Sequence, residues 1–220
     1  MKPTITLCMI VKNETHVILR CLESIYKYID RYDITDTGST DGTQDMIRKF
    51  FEEKNIPGEV YQSDWKGFGD HAGKIGSRTE AFQNAKGKAD YAWVIDADDS
   101  VNGQFEFPEN PTADAYTLQF ARGEFTWWRT QIFKNNRDWH YIGVLHEYPD
   151  SEPKPYKIDK IFGKYSIEAR TEGARNIGID PKEKYARDAE LLEKAIQDDP
   201  TNVRYHFYLA QSYFDSHQWE

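Results

Sequence analysis

The chain has 220 residues, of which 39% are hydrophobic and 15% aromatic, enough to bury one substantial core with a small appendage. Its net charge of −9 argues against nonspecific nucleic-acid binding, so an anionic ligand would require a metal ion or a local basic patch. The sequence has neither an apolar stretch of membrane-spanning length nor the basic and apolar regions of a signal peptide, which favours a cytoplasmic protein. Cys8 and Cys21 lie in apolar runs, which predicts two buried thiols rather than a disulfide.

Strand-like and helix-like segments alternate through the first hundred residues. Apolar and β-branched runs predict strands at 4–11, 32–35, 58–62 and 91–95, and helical spacing predicts helices at 16–28, 43–54 and 77–86. This alternation predicts an α/β fold built from βαβ units, with a mainly parallel sheet flanked by helices.

The pattern changes in the second half of the chain. Residues 115–120 and 125–133 alternate like antiparallel strands, and 141–147 and 157–162 resemble further short strands. The polar, glycine-containing stretch 163–181 is expected to be a mobile loop whose basic residues could close over a ligand.

The C-terminal segment has a helical pattern. Residues 182–197 and 202–216 predict two amphipathic helices around Asp199-Pro200, similar to a tetratricopeptide repeat. Because such repeats need neighbours, the end at Trp219-Glu220 suggests either a truncated chain or a capping helix pair. We therefore expect one domain at 1–180 and a helical hairpin at 181–220.

Three polar clusters follow predicted strands, at 11–14, 36–42 and 96–99. Open α/β sheets bind their ligands at the carboxyl ends of the strands, so the clusters predict one site. The closely spaced carboxylates of Asp96, Asp98 and Asp99 repel one another, and Mg²⁺ or Mn²⁺ would relieve that repulsion. A solvated acidic turn is the alternative. Asp36 could accept hydrogen bonds from a nucleobase imide or a ribose, or it could cap its own turn.

Four motifs taken in order give a specific resemblance: Ile-Val-Lys-Asn-Glu at 10–14, Asp-Thr-Gly-Ser-Thr-Asp-Gly-Thr at 36–43, Asp-Ala-Asp-Asp at 96–99 and Gly-Val-Leu-His-Glu at 143–147. From about Pro3 to Ser216 the chain resembles family-2 glycosyltransferases of the GT-A (Rossmann-like) fold, in the branch that carries tetratricopeptide-like helices. The resemblance implies metal-dependent transfer of a sugar, mostly with inversion, from a nucleotide diphosphate sugar. A UDP-sugar is the commonest donor, and the acceptor is a glycan, a lipid-linked sugar or a protein.

The resemblance also implies roles for individual residues. Asp98 is the expected principal metal ligand for Mn²⁺ or Mg²⁺, and His146 is expected to complete the site. Asp99 is either a second ligand or a residue that supports the ligands from behind, and Glu147 is the candidate general base. Asp138 and Glu124 are alternative bases, and an ordinary core or surface histidine is the alternative for His146. Donor contacts are expected from Val11, Lys12, Asn13, Glu14, Asp36, Gly38, Arg78, Asp96 and Ala97.

Some sequence features allow more than one interpretation. Lys12, Arg170 and Arg175 could contact phosphate or be solvated surface residues. Four aromatic residues could stack on an acceptor sugar, but core packing is favoured for most of them: Trp127, Trp128, Trp139 and Tyr141.

Two other functions and a homo-oligomer remain open. A degenerate transferase domain could act as a scaffold, although the retained acidic and His-Glu motifs argue against this. A nucleotidyltransferase would require a glycine-rich phosphate loop near the N-terminus, and residues 10–14 contain no glycine. Helical repeats would also favour pairing of chains.

Overall fold

The structure is a computed structural model and describes residues 2–217. Trp219 and Glu220, on which the prediction of a further helix depended, lie outside the described residues. Within 2–217, no helix is long and apolar enough to cross a membrane.

Strands and helices alternate in the first half, as predicted. The elements are β1 (Ile5–Val11), α1 (Ile18–Ile25), β2 (Arg31–Asp36), α2 (Thr43–Glu53), β3 (Gly58–Gln62), α3 (Ser77–Ala85) and β4 (Tyr91–Val94). The second half contains β5 (Ser100–Gln104), β6 (Ala115–Arg122), β7 (Phe125–Lys134), β8 (Asp138–Ile142), β9 (Tyr148–Glu152), β10 (Ile158–Lys160), β11 (Lys164–Glu168), α4 (Pro181–Asp198) and α5 (Val203–Asp215).

One mixed sheet forms the centre of the protein, with strand order β3-β2-β1-β4-β7-β6-β11-β5. The first four strands pair in parallel, β7 pairs antiparallel with both β4 and β6, and β10 pairs with β6. Strands β8 and β9 form a separate antiparallel pair. This is the predicted mixed, mainly parallel architecture of the GT-A fold.

The central strands β1 and β4 are buried on both faces of the sheet. Alternate side chains of each strand point to opposite faces, and they enter two different cores. On one face, Leu7 and Trp93 share a core with α1 and α2. On the other, Cys8 and Ala92 pack with α3 and with residues of β6, β7 and β8. Both cysteines are buried and free, as predicted.

The segment 163–181 differs from its prediction as a loop. Lys164–Glu168 forms β11, which pairs with β5 and β6 and buries Tyr165 and Ile167. Its partner β5 had no predicted counterpart. The part between β11 and α4 contains a short 3-10 helix at Ala174–Asn176 and is otherwise irregular. The strand at 164–168 has no local sequence signal because its backbone partners come from distant parts of the chain.

The predicted strand 141–147 is also wrong in its second half. Strand β8 ends at Ile142, and the next residues form a turn in which Gly143 has a φ of 113° and His146 a φ of 51°. A positive φ is incompatible with an extended strand, so His146 and Glu147 lie on a turn.

The predicted helical hairpin is confirmed. Asp180 caps α4 by accepting a hydrogen bond from the Lys182 N–H, and Asn202 caps α5 by accepting one from the Tyr205 N–H. The hairpin shares a buried apolar cluster with the turn after β8, formed by Leu145, Leu192, Ala195 and Tyr205. The division of the chain into domains at 180 stays a prediction.

Candidate functional site

The first two motifs meet because β1 and β2 are adjacent and end in register, with Val11 opposite Asp36. The Asn13 N–H donates to Ser39 Oγ over 2.8 Å, and Asn13 Oδ1 accepts from the Thr40 N–H over 2.8 Å. Strand β4 lies on the other side of β1, which brings the acidic motif to the same edge of the sheet. The predicted convergence of the three motifs is therefore present.

Asp36 has one oxygen engaged and one without a partner. Its Oδ1 accepts from the Gly38 and Ser39 N–H groups over 2.9 and 2.8 Å, and from Gln44 Nε2 over 3.1 Å. Its Oδ2 is buried and has no hydrogen-bond partner among the described residues. The residue thus caps its own turn and keeps a second acceptor free, so the two roles expected from the sequence are compatible.

Asp41 ties the same two loops together. It accepts hydrogen bonds from the Thr43 N–H at the start of α2, and from the Thr15 N–H in the loop after β1. Burial would raise the pKa of Asp41, but the hydrogen bonds from Thr43 and Thr15 hold it at about 2. These bonds join the loop after β1 to the start of α2.

Arg78 connects the acidic motif to the turn after β8. The guanidinium is nearly buried, with Nη2 2.7 Å from Asp96 Oδ1 and Nε 2.6 Å from Glu147 Oε1. Arg129, on β7, lies 3.4 Å from Asp96 Oδ2. Burial would raise the pKa of Asp96, but the charges of Arg78 and Arg129 hold it well below its usual range.

Backbone amides of the segment after β11 cover the remaining carboxylates. Asp98 Oδ2 accepts from the Glu172 and Gly173 N–H groups, both over 2.9 Å. Asp99 Oδ1 accepts from the Arg170 N–H over 3.0 Å, and Glu14 Oε2 from the Ala174 N–H over 3.1 Å. Residues 170–174, called here the covering segment, therefore lie directly over the acidic motif.

Two of these carboxyl groups hold protons more tightly than usual. Burial, reinforced by the neighbouring charge of Asp96, raises the pKa of Asp99 to about 7. Burial also raises the pKa of Glu14 to about 7, with Asp98 contributing and the Ala174 amide opposing. The hydrogen bonds that Glu14 and Asp99 accept therefore compensate only part of the cost of burying their negative charges.

The carboxylates fit a hard divalent cation, but the expected third ligand does not join them. Asp98 and Asp99 offer the oxygen atoms that Mg²⁺ and Mn²⁺ prefer, and a cation would compensate the charges that raise the pKa of Asp99. The His146 ring instead stacks on Tyr208 of α5, with centroids 3.9 Å apart. Within residues 2–217 no three His, Cys, Asp or Glu side chains form a metal-binding group. The predicted set of Asp98, Asp99 and His146 is therefore not assembled in this conformation.

The other candidate residues fall into three groups. Lys12 and Glu124 are exposed, Glu124 in the turn between β6 and β7, whereas Val11 and Ala97 are buried behind the strand ends. Three further candidate residues form ion pairs: Arg170 pairs with Glu168 and Glu172, Arg175 with Asp188, and Asp138 with Lys86. Of the aromatic residues, Trp139 and Tyr141 are core residues, as favoured, while Trp127 and Trp128 are half-buried.

The sequence patterns missed Arg129, Arg204 and Tyr208. Arg129 reaches Asp96 because β7 pairs with β4, a pairing that no local pattern indicates. In the sequence, Arg204 and Tyr208 have the pattern of ordinary residues of an amphipathic helix. Their contacts with His146 depend on how the hairpin packs.

This sheet order, with acidic groups at the carboxyl ends of β1, β2 and β4, defines the chain as a protein of the GT-A glycosyltransferase class. Residues 6–152 match the profile of glycosyl transferase family 2, so the chain belongs to this family.

Two known proteins extend the comparison. The structure of Staphylococcus aureus TarS residues 1–349 in complex with UDP is similar in fold, with a TM-score of 0.52 and 14% identity over 95% of this chain and 70% of that TarS fragment. A TPR repeat-containing protein of Synechococcus elongatus is 26% identical over 155 residues, or 66% of this chain. That match spans 35% of the relative's own length.

Proposed function

We propose that this chain transfers a sugar from a nucleoside diphosphate sugar, with a UDP-sugar as donor, to an acceptor hydroxyl. The observation that carries this proposal is the buried, unpartnered Oδ2 of Asp36 at the edge of the sheet. A buried acceptor without a partner is costly, and a ligand N–H would remove that cost. Uracil, thymine and guanine offer an imide or amide N–H, whereas cytosine has an acceptor nitrogen there. The UDP in the TarS complex supports uracil.

Asp98, supported by Asp99, is the proposed ligand of Mn²⁺ or Mg²⁺. A cation bound there would supply charge neutralisation for the departing diphosphate. The amides of the covering segment bond Asp98 Oδ2 and Asp99 Oδ1, so the covering segment lies beside the proposed ligands. The donor contacts proposed for Val11, Lys12, Asn13, Glu14, Gly38 and Ala97 are supported by their position at the ends of β1, β2 and β4.

Glu147 is the proposed general base, and Arg78 orients it. The Glu147 side chain is 10% exposed, and its distance of 2.6 Å from Arg78 Nε limits how its carboxylate can turn. Because Arg78 also binds Asp96, one guanidinium would fix the spacing between the donor and acceptor sides. A single displacement with Glu147 accepting the acceptor proton would invert the anomeric centre. A diphosphate contact for Arg78 and a ribose contact for Asp96 are parts of the proposal. A metal contact for His146 would require its ring to leave Tyr208.

A thermal-shift panel tests the proposal. It compares uridine, guanosine, cytidine and thymidine diphosphates, each with Mn²⁺ or with chelator, on the wild type and on Asp98→Ala. Binding to the native state raises the melting temperature by mass action. We expect a rise with UDP that needs Mn²⁺ and is lost in Asp98→Ala. No rise with any nucleotide would contradict the proposal and favour a scaffold, and a larger rise with uridine triphosphate would favour a nucleotidyltransferase.

A further inference from the structure

The turn after β8 has a backbone that needs support from outside. His146 is not a glycine, yet its φ is 51°, in the left-handed region that L-residues adopt only at a cost in free energy. Such residues persist when surrounding contacts determine them, and they concentrate at functional sites. Glu147 follows directly, so the conformation of His146 sets where Glu147 lies relative to Arg78.

The support comes from α5. The Arg204 guanidinium donates two hydrogen bonds to the His146 carbonyl oxygen, from Nε over 3.1 Å and from Nη2 over 2.6 Å. Four residues later along the helix, the Tyr208 ring stacks on the His146 imidazole with an interplanar angle of 14°. The carbonyl and the side chain of one strained residue are thus both held by neighbouring positions on one helix face.

The same hairpin also anchors the loop before α3. Tyr205 Oη lies 3.1 Å from His71 Nδ1, and Asp198 Oδ2 lies 3.1 Å from His71 Nε2. That loop approaches the turn so closely that a Cβ on Gly69 would lie 2.7 Å from the Gly143 carbonyl oxygen. The turn is therefore enclosed between α5 and a loop that the hairpin also holds.

We propose that Arg204 and Tyr208 are positioning residues, which fix the His146 backbone and thereby hold Glu147 against Arg78. This inference rests on the proposed function, because it assigns the helical hairpin a part in the transferase site. The hairpin is then a structural component of the site, and Arg204 acts through Glu147 without touching donor or acceptor.

The first test is a spectroscopic one that does not depend on activity. In the full chain, the ring-proton resonances of His146 should carry the ring-current shift of the stacked Tyr208. Arg204→Met should move them toward the positions of an unstacked histidine. The matched control is Arg187→Met on α4, whose exposed side chain pairs with Glu183. Should Arg204→Met not fold, Arg204→Lys keeps the charge but loses the two-nitrogen contact. Unmoved resonances in the folded variant would overturn the proposal.

The second test measures coupling to Glu147. In an assay with water as the acceptor, which forms the free sugar and releases UDP, hydrolysis of UDP-glucose and UDP-N-acetylglucosamine should fall at least about tenfold in Arg204→Met, while the Kd for UDP stays within about twofold. In a Glu147→Gln background the same substitution should cause less than about twofold further loss, because residues acting as one unit are not additive. An equal loss in both backgrounds would overturn action through Glu147. If the wild type does not bind UDP, the proposed function is contradicted. The inference about Arg204 and Tyr208 is not, because the spectroscopic test does not depend on UDP.

Discussion

The two halves of the site are built differently. Around Asp36, neighbouring loops are joined by hydrogen bonds between groups 26 to 29 residues apart, such as Asn13 with Ser39 and Glu14 with Thr43. Around Glu147, the contacts join distant parts of the chain, with Arg204 bonding His146 from 58 residues away. The covering segment reaches Glu14 from 160 residues away. In the nucleoside half, the turn at Asp36 is thus held by bonds between its own neighbouring loops, whereas the transfer half depends on the C-terminal elements. The covering segment contacts both halves, at Glu14 and at Asp98.

The largest effect is expected from Arg78→Met, which removes the cation shared by Asp96 and Glu147. Breaking a buried ion pair on one side costs about 3–5 kcal/mol, because the remaining charge is left uncompensated. Chemical denaturation of the wild type and the variant measures this free energy of unfolding. The control is Arg48→Met, which removes an exposed pair with Asp45 and should change stability by less than about 0.5 kcal/mol. A loss for Arg78→Met as small as that of the control would show that the transfer half does not depend on this ion pair.

Two glycine substitutions should affect the nucleoside half and the transfer half of the site separately. In Gly69→Ala the new Cβ would lie 2.7 Å from the Gly143 carbonyl oxygen and 2.8 Å from that of Tyr141, so the turn after β8 must shift at a cost of about 2–3 kcal/mol. In Gly38→Ala the Cβ meets open space, and the cost of about 1–2 kcal/mol comes from its φ of 104°.

Their functional consequences should differ as well. Gly69→Ala should lower turnover and leave the Kd for UDP unchanged. Gly38→Ala should weaken UDP binding, because the Gly38 N–H orients Asp36. Titration calorimetry with UDP, turnover assays and chemical denaturation of both variants check these expectations. If both variants lose turnover and UDP affinity to the same extent, the two halves of the site are not independent.

A smaller effect is expected from pH. The pKa of Asp99 is raised to about 7 in the folded protein, from an ordinary value of 3.8. Between these values the unfolded carboxyl has released its proton while the folded one keeps it. Rising pH therefore favours unfolding across this window.

Comparison of variants isolates this contribution. Asp99→Asn keeps the Oδ1 acceptor for the Arg170 N–H and should remove that part of the pH dependence. The difference in stability between Asp99→Asn and wild type should grow from pH 4 to pH 7 and then level off. Asp64→Asn, at an exposed position, serves as the control. A difference that stays constant with pH would show that Asp99 is not held in its protonated form.

The sequence predicted one half of the site better than the other, for a physical reason. The β1–β2 edge depends on strand order and on turns whose residue types reveal their role, such as Asp36 before Gly38. The turn at 143–147 was predicted as a strand because Val144 and Leu145 suit one. Leu145 in fact packs against Leu192 of α4, and His146 is held by Arg204 of α5. These contacts arise from tertiary packing, which has no local sequence signal.

The most direct test of the account is a calorimetric titration of UDP, in the presence of Mn²⁺, into wild type, Asp36→Asn and the control Asp45→Asn, which changes an exposed carboxylate on α2. In Asp36→Asn, Oδ1 still accepts from Gly38 and Ser39, but the free oxygen becomes an N–H₂ that faces the imide N–H of uracil. We expect UDP affinity to fall at least about tenfold in Asp36→Asn and to stay within about threefold in Asp45→Asn. Wild-type affinity in Asp36→Asn would contradict the claim that this strand end binds the nucleoside.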